Sequence, residues 1–217
     1  MRVLHQRGCA ARAVVLAVAG LAGFGFGAGT ASSAPILRPG DTVRLAPVEY
    51  GCTVGLTGRV QGSPVAVTAG HCAPGSTGTA YRGLLGGAVG AIREVTGFGD
   101  LDFAAFSVNG PVARTRVAAP GEVGDRVCKT GRMTGVTCGP IVAVTPTAVV
   151  ARVRVLPGDS GGPLKDSRGR VIGITSRLNV TSPAAAERAW LTSLTDGSPI
   201  EMRFPRADRI VERIALT

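Results

Sequence analysis

Aromatic side chains are scarce in this chain of 217 residues: six Phe, two Tyr and one Trp. Acids are few as well, 14 against 24 Lys and Arg, which leaves a formal charge of +10. That excess suits anionic surfaces. It does not describe a nucleic-acid reader, because the arginines are scattered and no aromatic platform, dense basic run or recognised binding motif accompanies them. No segment repeats at a period of roughly 20–50 residues, which excludes solenoids. Glycine does not recur at every third position, which excludes a collagen helix. Short Cys-x-x-Cys spacings are missing, so zinc is not expected, and the residues imply no other metal or cofactor. After residue 34 no apolar run is long enough to cross a bilayer. What the sequence has in quantity is turn formers, 32 Gly and 14 Pro, in a background that is 45% hydrophobic. This excludes wholesale disorder and a long helical bundle, and points to many short strands.

Arg2, Arg7 and Arg12 open the chain without an intervening acid, Ala13–Ala28 is apolar and small, and Gly29-Thr30-Ala31-Ser32-Ser33-Ala34 follows. That order is a secretory signal peptide with cleavage after Ala31 or Ala34, so a secreted protein with no lasting membrane insertion is expected. Loss of residues 1–34 leaves 21 cationic against 14 acidic side chains, a charge of +7. It also removes His5 and Cys9. One histidine, His71, and four cysteines, Cys52, Cys72, Cys128 and Cys138, remain. An even cysteine count in an exported chain implies disulfides, and four cysteines allow three pairings. The local pairing Cys52–Cys72 with Cys128–Cys138 is the most economical, and the residues alone leave the choice open.

Stretches rich in Val, Ile and Ala, bounded by turn formers, predict strands over Val65–Thr68, Ala88–Val95, Leu101–Val108, Val136–Val144, Ala148–Val155 and Val171–Thr175. Pro111–Gly121 lacks a period and reads as a linker. From Pro205 onward, Ala207, Ile210, Val211, Ile214 and Ala215 recur at helical spacing, which predicts an amphipathic helix docked on the body of the domain. A second helix is expected over Pro183–Leu194.

Gly158-Asp159-Ser160-Gly161-Gly162-Pro163-Leu164 carries the strongest chemical signal. Glycines let a backbone turn sharply and aim its N–H groups at a substrate oxyanion, although a plain hairpin turn would use the same residues. Thr68-Ala69-Gly70-His71-Cys72 decides between them. A hydroxyl nucleophile needs a base that titrates near neutrality, and His71 is the single imidazole left to serve.

These two motifs, TAGHC and GDSGGPL, resemble the hallmarks of the chymotrypsin/trypsin-like serine peptidases, above all the small secreted bacterial members related to streptogrisins and alpha-lytic protease. The resemblance extends to Pro35–Asp41, Gly51–Gly55, Val127–Gly131 and Cys138-Gly139, and so to most of the mature chain. It implies an all-β fold of two packed six-stranded antiparallel Greek-key barrels with a C-terminal α-helix. Residues 35–112 would form the N-terminal barrel and residues 113–217 the second barrel and helix. It implies a monomeric endopeptidase acting on polypeptides through His71, Asp102 and Ser160. Asp102-Phe103-Ala104 fits the family pattern better than Asp100, which alternation places on the same side of a strand. The N–H groups of Gly158 and Ser160 would form the oxyanion hole. Cys52 would pair with Cys72, and Cys128 with Cys138. Asp159, costly to bury alone, would pair with Lys129.

The sequence departs from that family at three places. Almost nothing stands between the signal and the first strand, so a pro-segment that assists folding is not expected. Leu156 stands where a third disulfide would place a cysteine. Leu178, in Ser176-Arg177-Leu178, stands where a glycine usually keeps the specificity pocket open. Arg154 falls at the expected base of that pocket, where it would disfavour basic and favour acidic side chains. Arg152 and Arg154 nonetheless alternate with apolar residues, as two solvent-facing side chains would. The obstructed pocket also admits a second reading, a protease-fold binding protein with weak catalysis.

Overall fold

The computed structural model describes residues 35–99 and 101–217. The expected signal segment and Asp100 lie outside them. Two antiparallel sheets carry the fold. The first contains Thr42–Leu45 (β1), Cys52–Thr53 (β2), Leu56–Val60 (β3), Ser63–Ala69 (β4), Thr79–Arg82 (β5), Ala88–Val95 (β6) and Phe103–Ser107 (β7), in the spatial order β2-β1-β5-β6-β7-β4-β3. The second contains Arg126–Gly131 (β8), Gly135–Val144 (β9), Ala148–Val153 (β10), Pro163–Lys165 (β11), Val171–Ile174 (β12), Arg177–Leu178 (β13) and Ile200–Pro205 (β14), in the order β12-β11-β8-β9-β10-β14-β13. Each sheet thus has six longer strands and one of two residues, β2 or β13.

Both sheets curl back on themselves in the manner of small barrels. The Thr68 hydroxyl of β4 donates to the Thr53 carbonyl of β2 at 2.8 Å, across the mouth of the first sheet. In the second, Gly173 of β12 bridges to Arg206, just beyond β14. With few aromatics available, the cores are aliphatic. Leu37, Val43, Leu45, Ala66, Ala104 and Phe106 fill the first barrel, and Val127, Ile141, Val149, Val153, Ile172 and Phe204 the second. A third cluster unites Leu56, Val67 and Phe103 of the first sheet with Val171 and Ile174 of the second.

The C-terminal helix α2, Ala207–Ile214, docks on that third cluster through Ala207, Ile210 and Ile214. Pro205 does not start it: alternating buried and half-buried positions make Ile200–Pro205 a strand, and the helix begins two residues later. Helix α1, Pro183–Thr195, has its proline in the first turn and the Ser182 side chain accepting from the Ala185 N–H, a sound N-terminal cap. Pro111–Gly121 is no free linker. Thr115 N–H donates to Thr57 of β3 and Ala118 N–H to Val171 of β12, so the segment is stitched to both sheets. No helix among the described residues is long and apolar enough to cross a membrane.

Candidate active site

Strand β4 delivers His71 into a tight turn, Gly70–Cys72. The Cys52–Cys72 disulfide ties that turn to β2, and the Tyr50 hydroxyl donates to the His71 carbonyl at 3.1 Å. Asp102 stands just before β7 and is only 1% exposed. Its backbone is in the left-handed region (φ 39°), which a short acidic side chain tolerates better than most. Its carboxylate accepts from the His71 backbone N–H at 2.9 Å, faces His71 Nδ1 at 3.0 Å, and takes a short hydrogen bond from the Ser176 hydroxyl. Those contacts fix the ring so that Nε2 lies 2.9 Å from Ser160 Oγ. Phe98 stacks on the imidazole, with centroids 5.0 Å apart.

Ser160 belongs to the loop between β10 and β11. Gly158 there has φ 103°, which an L side chain rarely adopts. A Cβ on Gly161 would come within 2.1 Å of Thr68 Oγ1 and 2.3 Å of the Thr53 carbonyl, so only glycine lets this loop dock on the first barrel. Thr53, fully buried in β2, is the clamp. Its N–H donates to the Ser160 carbonyl at 2.8 Å, its hydroxyl donates to the Gly158 carbonyl at 3.0 Å, and the same oxygen accepts from the Arg132 N–H at 3.0 Å. The loop is closed by Asp159 N–H donating to the Leu156 carbonyl at 3.0 Å. The N–H groups of Gly158 and Ser160 meet no acceptor among the described residues.

Behind the loop, Lys129 and Asp159 form a fully buried ion pair, Nζ to Oδ2 at 2.9 Å. Burial pushes the Asp159 carboxyl up, but it is outweighed. Hydrogen bonds from the Thr134 hydroxyl and Lys129, the lysine's charge and the Leu156 N–H hold the group below the ordinary carboxylate range. The Met133 and Thr134 N–H groups, at 2.8 and 3.1 Å, complete the shell. Cys128 and Cys138 are joined directly across β8 and β9, next to Lys129.

A cleft of about 900 Å³ passes His71 and Ser160. Ser176, Arg177 and Leu178 all line it; Arg154 does not. Alternation explains the difference. Val153 and Val155 face the core, so Arg154 points to the other side, where its Nε is buried near Gly197 without a partner among the described residues. Leu178 is only 9% exposed and packs with Val155, Met202, Ala186 and Trp190 into an apolar wall. Phe98, Thr53, Thr134 and Trp190 were not singled out by the sequence. Most of their contacts come from distant segments, and the two glycines beside Phe98 are the one local sign of an unusual loop.

The folded chain and this constellation define the class: two curled antiparallel barrels of the chymotrypsin type, with an Asp–His–Ser hydrogen-bonded chain at their junction. Solved structures of that class resemble it. Protease A of Thermobifida fusca covers 84% of this chain and 98% of its own, with 19% identity and a TM-score of 0.65. A chymotrypsin of Cellulomonas bogoriensis matches 84% of this chain and 97% of its own, at 21% identity and a TM-score of 0.61. A Nocardiopsis protease matches 84% and 98%, at 20% identity and a TM-score of 0.62. These structural neighbours are bacterial chymotrypsin-like serine proteases, and at such identities the likeness establishes the fold. No family model and no curated protein sequence matches the chain.

Proposed function

We propose that the chain is an exported serine endopeptidase that cleaves polypeptides through an acyl-enzyme. The hydrogen-bonded run from Asp102 through His71 to Ser160, 3.0 and 2.9 Å at its two links, carries this reading. His71 Nε2 takes the Ser160 proton as Oγ attacks the scissile carbonyl, and Asp102 holds the ring and stabilises the imidazolium that results. The oxyanion is received by the N–H groups of Gly158 and Ser160. His71 returns the proton to the leaving amine, and water then repeats the sequence in reverse to release the acyl group. The Lys129–Asp159 pair keeps the loop in its working form without a newly cut N-terminus. The wall of Val155, Leu178, Met202, Ala186 and Trp190 suits an aliphatic side chain on the residue whose carbonyl is attacked. A fluorophosphonate probe tests the reading, because only an activated serine labels. Stoichiometric labelling of Ser160 together with hydrolysis of an unstructured polypeptide is the expected result; an unlabelled, inert protein would refute it.

The Thr53 clamp yields a sharper expectation. Thr53→Val keeps the shape but removes the hydroxyl, leaving the half-buried Gly158 carbonyl and Arg132 N–H without this partner. The loop then relaxes, and kcat should fall about ten-fold with KM little changed, since an oxyanion contact acts on the transition state. Thr53→Ser should restore the rate. Steady-state kinetics of the two variants check this, and a change confined to KM would contradict it.

A further inference from the structure

Strands β13 and β14 place Arg177 directly opposite Arg203. Like charges at such a rung destabilise an antiparallel pair. One rung of the neighbouring ladder shows the complementary arrangement: Arg152 faces Glu201 and bonds it at 2.8 Å. Neither Arg177 nor Arg203 has an ion-pair partner among the described residues. Among the described residues Asp102 shares a surrounding wall with both arginines, but it is 1% exposed and committed to His71 and Ser176. Both arginines line the cleft, and no Asp or Glu among the described residues lines it. The Arg177 guanidinium lies 5.6 Å from the Phe98 ring centre, on the face of the site where Phe98 stacks on His71.

The two faces of this short ladder differ. Leu178 opposite Met202 belongs to the apolar wall, and Arg177 opposite Arg203 projects from the other face. Strand β13 ends the sheet, and no strand among the described residues pairs with its outer edge. An extended peptide laid along that edge alternates in the same way. If its aliphatic side chain enters the Leu178 wall beside Ser160, the preceding residue faces the two guanidiniums.

We propose that Arg177 and Arg203 form a carboxylate-binding subsite, and that the cleft selects polypeptides with an acidic residue immediately before the aliphatic residue at which they are cut. The proposal rests on the peptidase reading above and names its substrate class. The planar guanidinium forks bind a carboxylate through paired hydrogen bonds, and the incoming charge relieves the repulsion that the described residues leave uncompensated.

The test uses three peptides that carry leucine at the cleaved bond and Glu, Gln or Lys before it. The Glu peptide should exceed the Gln peptide about ten-fold in kcat/KM, the Lys peptide should be poorest, and added salt should narrow the gap. In the double variant Arg177→Gln/Arg203→Gln the Glu advantage should vanish, the Glu-to-Gln ratio of kcat/KM falling to about one. Equal rates for Glu and Gln in the parent, or a gap that survives in the double variant, would overturn the proposal. Binding of the same fluorescent peptides to the Ser160→Ala variant separates the two readings, because it requires no turnover. Tighter binding of Glu than Gln, lost with both arginines, supports the subsite even if the parent hydrolyses nothing, an outcome that would sink the peptidase reading alone. Equal binding of Glu and Gln overturns the subsite.

Discussion

Ser160→Ala is expected to lower peptide or ester hydrolysis by about 10⁴–10⁶-fold while leaving the fold and its melting temperature nearly unchanged. The side chain is partly exposed, and its recorded side-chain contact is the 2.9 Å bond to His71 Nε2, so little stability is at stake. The chemical loss is large because alanine leaves His71 no hydroxyl to activate for attack on the carbonyl. His71→Ala should fall by a similar factor, since an unassisted hydroxyl is a poor nucleophile at neutral pH. The double variant should be scarcely worse than either single one, because the two side chains act as one unit. Steady-state rates of the three purified variants check this. Losses that multiply would mean that His71 and Ser160 work independently and that the proton relay is wrong.

Lys129→Met is expected to cost about 3–5 kcal/mol of stability, because it strands a buried carboxylate among donors arranged for an anion. Asp159 has 0% exposure, so water cannot replace the lost ammonium without opening the loop. Activity should fall with stability, since Asp159 connects Ser160 to Gly158. Lys129→Met/Asp159→Leu should recover stability, as apolar replacements of a buried pair often do, yet stay inactive because the donors at Met133, Thr134 and Leu156 lose their shared acceptor. Urea midpoints and hydrolysis rates separate the two effects. The same pair sets an acid limit. The folded Asp159 carboxyl titrates below its unfolded counterpart, so the stability it contributes is fully present above the ordinary carboxylate range near pH 4 and is lost as pH falls through the lower folded value. Asp159→Asn should flatten that part of the stability profile; an unchanged acid slope would contradict the assignment.

The legible parts of the sequence were those where chemistry narrows the residue choice. A serine loop needs its glycines, a base needs an imidazole, and both motifs are contiguous. The β6 strand is equally plain, since Ala88–Val95 is a continuous stretch between glycine-rich turns and folds over those same residues. Strand β14 was missed although Ile200, Met202 and Phe204 are buried in alternation, because Glu201 and Arg203 lower its apparent hydrophobicity and Pro205 looks like a helix start. Arg154 was ambiguous for a related reason. Its register shows only once Val153 and Val155 are known to face inward. The clamp at Thr53 could not be read at all, because it joins groups about a hundred residues apart and a buried threonine looks like any other strand residue. Phe98 belongs with it, since nothing local to Gly97-Phe98-Gly99 says that the ring will lie on an imidazole.

The bond between His71 and Ser160 spans 89 positions and crosses from one barrel to the other. His71, Asp102 and Thr53 all precede the second sheet in the chain. During synthesis the base and its orienting carboxylate are therefore made long before the nucleophile, and neither barrel alone holds a complete site. On the proposed peptidase reading, a half-made or half-folded chain has nothing with which to cut its neighbours or itself. The docking of the two barrels would then act as a safety interlock: the proposed chemistry would become available at the step that finishes the fold.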